Sequence, residues 1–189
     1  MWQRIIRIFF LALAFLVLYI SIARGSLDLM IKDEKENELR KIPIKSEFVD
    51  KSGAIVKIDY KFPETRTLPS SPFYGLKKIR DYLWVSFTKN PLDKCRVLML
   101  IADKKMSEVI LMNQKNVEKQ LIVGTTIEAI NQLKLAGDGL KKDKLNEVEK
   151  GIIQTQINQA KYVYKEIIKT LKIDEEEKRF LDSRVEEAF

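Results

Sequence analysis

Leu68-Pro69-Ser70-Ser71-Pro72-Phe73-Tyr74-Gly75-Leu76-Lys77 is the stretch on which the fold turns. Before it the chain reads as extended. After it apolar residues recur at threes and fours, the period of an amphipathic helix. Ser71 can accept a hydrogen bond from a first-turn amide, and Pro72 at the first helical position gives up an N–H that would go unpaired anyway. The stretch therefore predicts a helix opening at Pro72.

Working forward, that first helix is expected over 72–89, with Phe73, Leu76, Ile79, Leu83 and Phe87 on one stripe and Tyr82, Trp84 and Val85 widening it. Asn90 and Pro91 end it and start the next, since Asn caps well and Pro suits a first turn. The second helix, 91–113, carries Leu92, Cys95, Leu98, Met99, Ala102, Met106, Val109 and Ile110 on one side, and Val97, Leu100, Ile101 and Leu111 elsewhere. It should be the most buried. A turn at 113–116 leads to a third helix over 117–141, through Val123, Ile127, Ile130, Leu133 and Leu140, whose end Gly137 and Gly139 weaken by about 1 kcal/mol each. A fourth, 144–172, shows Leu145, Val148, Ile152, Ile153, Ile157, Ala160, Tyr164, Ile167, Ile168 and Leu171. Asp174 and Glu177 have capping-box spacing and open a short last helix with Phe180, Leu181 and Val185. Short connections favour antiparallel neighbours. The expected fold class is all-α, an up-and-down bundle of about four long helices and a short C-terminal one over 68–189, with a core around Leu76, Ile79, Leu98, Ala102 and Ile127. No repeat near thirty-four residues recurs, which disfavours a tetratricopeptide array.

Working backward, 25–67 reads as a stalk. Residues 32–38 are a mixed-charge run with little to bury, the pattern of a solvated linker. Val56, Ile58, Tyr60 and Phe62 then alternate with Lys57, Asp59 and Lys61, as in a half-buried strand. Glu47-Phe48-Val49 upstream, with a turn at 50–53, makes a short β-hairpin over 47–62 that would have to lie on the helices to be stable. Pro63 ends the ladder.

Residues 1–24 carry the clearest physical signal. From Ile8 through Ala23 no charge occurs, and eleven of these sixteen residues are Leu, Ile, Phe or Val, which favours bilayer insertion by roughly 3–7 kcal/mol. With Trp2, Ile5 and Ile6, and Arg4 and Arg7 able to snorkel, the run reaches the length that crosses a hydrocarbon core. A cleaved signal peptide is the rival, with Ser21-Ile22-Ala23 as the cleavage triplet. The length of the apolar run favours an uncleaved transmembrane signal anchor. Positive charges on the two sides are nearly balanced. A long C-terminal domain translocates largely regardless of its charge, so the N-terminus is expected in the cytoplasm and the helices outside.

Composition narrows the chemistry. Lys+Arg 34 against Asp+Glu 27 gives a net charge of +7, but Arg4, Arg7 and Arg24 flank the apolar run and the other basic residues scatter along helical faces. No basic-aromatic stripe points to nucleic acid. The chain has no histidine, which removes the commonest general base and metal ligand. Cys95 is the single cysteine and sits on an apolar stripe, as a small core residue. Glu147, Glu149 and Glu166 lie on one helix without a second facing carboxylate helix, so they do not spell a di-metal site. Asp103 could meet Lys77 or Arg80 across the first two helices, a pair that would fix register rather than catalyse. No phosphate-cradling loop or nucleophile elbow is present. The expectation is no enzyme, no cofactor, no metal and no small-molecule substrate.

Leu68, Pro69, Ser71, Pro72, Tyr74, Leu76 and Lys77, followed by Asn90, Pro91 and Leu92 and then by Ala102, Asp103, Lys104, Lys105 and Met106, also carry a resemblance. The pattern resembles a group of small membrane-anchored bacterial envelope proteins with a helical domain of unknown function, also found beside anti-sigma-like membrane segments. Asp59-Tyr60-Lys61-Phe62-Pro63 is similar to that group's lead-in, and the match covers about 58–140. Gly75, Lys105 and Met106 depart from its pattern. The resemblance implies a helical domain in the cell envelope and brings no activity with it. The function expected is a membrane-tethered, extracytoplasmic protein-interaction or scaffolding module that binds another protein or itself. The alternatives are a transmembrane regulator resembling anti-sigma-type proteins, against which the short tail of residues 1–7 argues, and a secreted ligand-binding bundle.

Overall fold

The computed structural model describes residues 41–49, 55–65, 67–141 and 147–188, with Phe15 besides. Phe15 apart, the expected anchor lies outside the described residues, as do the mixed-charge linker and the hairpin turn. Among the described residues no helix is long and apolar enough to cross a membrane.

The chain is mostly helical. Strands β1 (Lys41–Val49) and β2 (Ile55–Pro63) precede helices α1 (Tyr74–Phe87), α2 (Pro91–Gln114), α3 (Lys119–Leu140), α4 (Glu147–Thr170) and α5 (Glu175–Glu187). The hairpin is longer than its expected 47–62, because β1 reaches back to Lys41 and pairs antiparallel from Lys41↔Pro63 to Val49↔Ile55. Ile58 and Phe62 are buried in the helical core while Asp59 and Lys61 face solvent, so the period of two is read out directly. The hairpin belongs with the helices to one compact unit, Lys41–Phe189, lying on them as two isolated strands require.

Charged and polar contacts give the helix directions. Tyr74 at the start of α1 meets Glu108 late in α2, and Trp84 near its end meets Lys104; the two helices are antiparallel. A β-carbon on Gly139 would lie 2.7 Å from Cys95 Sγ, which places the end of α3 against the start of α2. Here glycine permits a close approach of the two helices. Arg96 pairs with Glu149 and Asn113 with Thr170, so α4 runs parallel to α2. Lys161 and Lys165 meet Glu186, which brings α5 back along α4. Successive helices alternate up and down, as short connections require.

Several boundaries follow local chemistry. Asn90 Oδ1 accepts from Leu92 N–H at 2.9 Å, with Pro91 in the first turn. Asn116 closes α2 with φ of 53°; Val117 N–H reaches Met112 O at 3.0 Å and Asn116 N–H reaches Asn113 O at 3.4 Å, the paired bonds of a Schellman motif. Asp174 and Glu177 form the expected capping box. At the opening stretch the helix begins at Tyr74, two residues after Pro72. Ser71 Oγ accepts from Phe73 N–H at 3.3 Å and Ser71 O from Tyr74 N–H at 3.0 Å, so residues 71–73 form a turn that leads in.

The core contains Leu98, Ala102, Met106, Leu133, Ile157, Tyr164 and Leu181, with Ile127 packed at its edge. Cys95 is buried, as expected. Two expected core members are not in it: Leu76 is 66% exposed and Ile79 is 55% exposed.

Candidate functional site

The physical reason for that reversal lies on the other side of α1. Its inward face is polar: Tyr74 and Asp81 are the buried residues of this helix, and Lys77 is enclosed beside them. Glu108, fully buried on α2, accepts from Tyr74 Oη at 2.8 Å and forms an ion pair with Lys77. Lys77 also donates to buried Thr65 at 3.3 Å, in the segment leading out of β2. Ammonium groups of Lys77, Lys78 and Lys105 stand 5.6, 5.4 and 5.9 Å from the centre of the Tyr74 ring. Burial lowers the Lys77 ammonium to about 8, with Asp81 pulling it back up. Burial also pushes the Tyr74 phenol up to about 12, helped by the charges of Glu128 and Asp81. Glu128 on α3 pairs with Lys105 and, at 3.2 Å, with Lys78. Burial raises its carboxyl, but the two lysines outweigh that and hold it below the usual range.

A second polar cluster fastens the hairpin. Tyr60 on β2 donates to both oxygens of Asp103 at 3.0 Å, and Tyr164 on α4 donates to Oδ1 at 3.0 Å. Ser107, one turn on, donates to Pro63 O at 2.7 Å. The Phe62 ring lies 6.1 Å from Tyr164 and 4.9 Å from Tyr60, closing the cluster from below. The carboxyl group is enclosed, and burial raises it to about 7 even though the two phenol bonds pull the other way. Burial and the Asp103 charge in turn raise both phenols.

The expected pairing of Asp103 with Lys77 or Arg80 does not form. Five helical residues separate Asp103 from Glu108, which turns them about 140° apart at 3.6 residues per turn. Asp103 therefore looks toward β2 and α4, while Glu108 looks toward α1. Lys77 goes to Glu108, and Arg80 bonds its neighbour Asp81 at 2.6 Å.

Between α1, α2 and α3 lies an open groove of about 430 Å³. Val85, Leu98, Ile101 and Leu135 form its apolar lining, and Lys78, Asp81, Tyr82, Lys105, Glu128, Asn131 and Gln132 supply polar edges.

The signature residues fall into four groups. Asn90, Pro91 and Ser71 shape helix starts. Leu68, Leu92 and Ala102 pack in or against the core. Tyr74, Lys77 and Asp103 are the polar fasteners, while Pro69 is half-buried and Pro72 and Leu76 face outward. Sequence reasoning missed Glu108, Glu128, Thr65 and Tyr164 as polar partners. Glu108 had one signal: it lies in the helix expected to be the most buried, and an enclosed acid needs a cation or donor beside it. No protein-family model, curated protein or solved structure matches this chain.

Proposed function

We propose that this chain is a membrane-tethered helical domain of the cell envelope that works by contact with a protein, not by catalysis. The uncharged run Ile8–Ala23 supports the tether, with the N-terminus in the cytoplasm and the helices outside. The groove between α1, α2 and α3 carries the contact reading. It is open, its floor is Val85, Leu98, Ile101 and Leu135, and charged and amide side chains stand at its edges. That combination suits a short amphipathic segment laid with its apolar side down. The ionisable groups nearby support a structural role, because each is engaged by another: Asp103 by two phenols, Glu108 by a lysine and a phenol, Glu128 by two lysines.

The test is site-specific photo-crosslinking in native membranes from Gln132, at the groove edge, and from Gln154, on the exposed side of α4. A discrete protein adduct from Gln132 that is missing from Gln154 is the expected result. Adducts of equal pattern from both positions would reject the groove as the contact site.

A further inference from the structure

The side of α1 turned away from both the bundle and the groove has no role in that reading. Phe73, Leu76 and Ile79 stand there 68%, 66% and 55% exposed, on one helical stripe that Leu83 and Phe87 continue. Each of these three side chains shows on the order of 100 Å² to solvent. Together they expose about 300 Å², within the range of the largest apolar patches on monomeric surfaces, which are often functional. Its charges are of one sign. Arg80 is about half exposed on α1, exposed Lys89 follows the helix, and the one carboxylate of the helix, Asp81, is turned inward and buried; Lys78 belongs to the groove, where it pairs with Glu128.

We infer that this outward stripe of α1 lies on the bilayer surface, with Phe73, Leu76 and Ile79 in the boundary between headgroups and acyl chains and Arg80 at anionic phosphates. Apolar and aromatic side chains on one side of a helix, bordered by cations, are the composition that holds a helix in that plane. Arg80 decides between lipid and a second copy of the chain. It sits at the middle of α1 and at the margin of the stripe, so a two-fold contact between two such helices would bring arginine beside arginine. On a bilayer the same guanidinium can reach a phosphate while its stem stays among the apolar side chains. It bonds the buried Asp81 through Nε and one terminal nitrogen, and the remaining N–H donors of the half-exposed guanidinium can reach a phosphate without breaking that bond. The inference rests on the tethered reading for its geometry, since an anchor keeps the stripe within reach of lipid.

Full-length chain carrying Leu76→Cys, Ile79→Cys or, as control, Gln154→Cys would be labelled with an environment-sensitive fluorophore. The unsubstituted chain serves as the blank for Cys95, which is buried. Each would be reconstituted with phosphatidylcholine vesicles, with and without phosphatidylglycerol, and quenched from water by iodide and from the acyl region by nitroxide lipid. Iodide quenching several-fold weaker at 76 and 79 than at 154, with nitroxide quenching in the reverse order and both stronger with phosphatidylglycerol, is the expected result. Equal iodide quenching at all three positions overturns the inference. So does energy transfer between copies at position 76 that disappears when protein is diluted in lipid, which would assign the stripe to a second copy. Flotation with neutral vesicles reads the tether separately. A chain that sinks with neutral lipid yet shields position 76 with anionic lipid loses the anchor and keeps the docking face. Melting of each variant, unchanged because these positions are exposed, guards against misfolding.

Discussion

Helices α1 and α2 lie side by side and both carry an apolar stripe, but only α2 turns its stripe inward. In α2 the apolar residues surround most of the helix, so Leu98, Ala102, Met106 and Val109 are buried whichever neighbour approaches. In α1 Phe73, Leu76 and Ile79 occupy the outer side, and the bundle is met by Tyr74, Lys77 and Asp81, with Val85 also packed against the core. The contrast teaches that an amphipathic period identifies a helix and its two faces without saying which faces in. On α1 that choice falls to Glu108. A buried carboxylate left without a donor and a cation costs far more than leaving a few apolar side chains wet, so α1 rotates to supply Tyr74 and Lys77.

The sharpest way to break this comparison is to remove that carboxylate. Glu108→Ala should cost about 3–5 kcal/mol, because Lys77 is left enclosed without its counter-ion, and denaturant unfolding followed by Trp84 fluorescence would read it. A loss below about 1 kcal/mol would mean that α1 is held by something else. Leu98→Ala, in the stripe that does face inward, should cost about 2–5 kcal/mol, measured the same way. An unchanged midpoint would remove Leu98 from the core.

Asp103 sharpens the comparison through pH. Its carboxyl stands raised from 3.8 to about 7 in the folded chain, so the folded state takes up its proton at higher pH than the unfolded state does. Stability from this group is fully present below about pH 4 and is lost as pH rises through about 7. Unfolding free energy should therefore increase by no more than about 2 kcal/mol from pH 7 down to pH 5, and Asp103→Asn should flatten that rise. A fall in stability over the same interval, equal in both proteins, would contradict the assignment. Asn90→Ala removes a cap on the inward-facing helix and should cost about 0.5–2 kcal/mol, seen as a lower melting temperature. Smallest of all, Leu76→Ala and Ile79→Ala on the outward stripe should move stability by no more than about 0.5 kcal/mol. A loss of about 2 kcal/mol at either would show that the stripe of α1 is buried.

Much of the helical plan was legible beforehand because its signals are local. The Asn90-Pro91 start, the turn at 113–116 and the Asp174/Glu177 box all act within four residues of chain, and each ends or opens a helix at the expected place. The alternation from Val56 to Phe62 identified β2 for the same reason, and Ile58 and Phe62 are buried as that alternation requires. The polar fasteners were not legible, because they join residues far apart in the chain. Tyr60 meets Asp103 across 43 positions, Tyr164 meets it across 61, and Tyr74 meets Glu108 across 34. No spacing rule links such residues.

By itself, the sequence determined how many helices follow residue 68, to within a few residues where each starts and stops, and that α2 would be central. Those properties depend on neighbours within a turn or two, on capping, backbone conformation and side-chain period. Only the tertiary structure decided which side of α1 faces in and which carboxylate each tyrosine and lysine satisfies. The physical reason is that burying a charge is settled by whatever donor and cation are brought beside it in space, and chain order does not carry that distance.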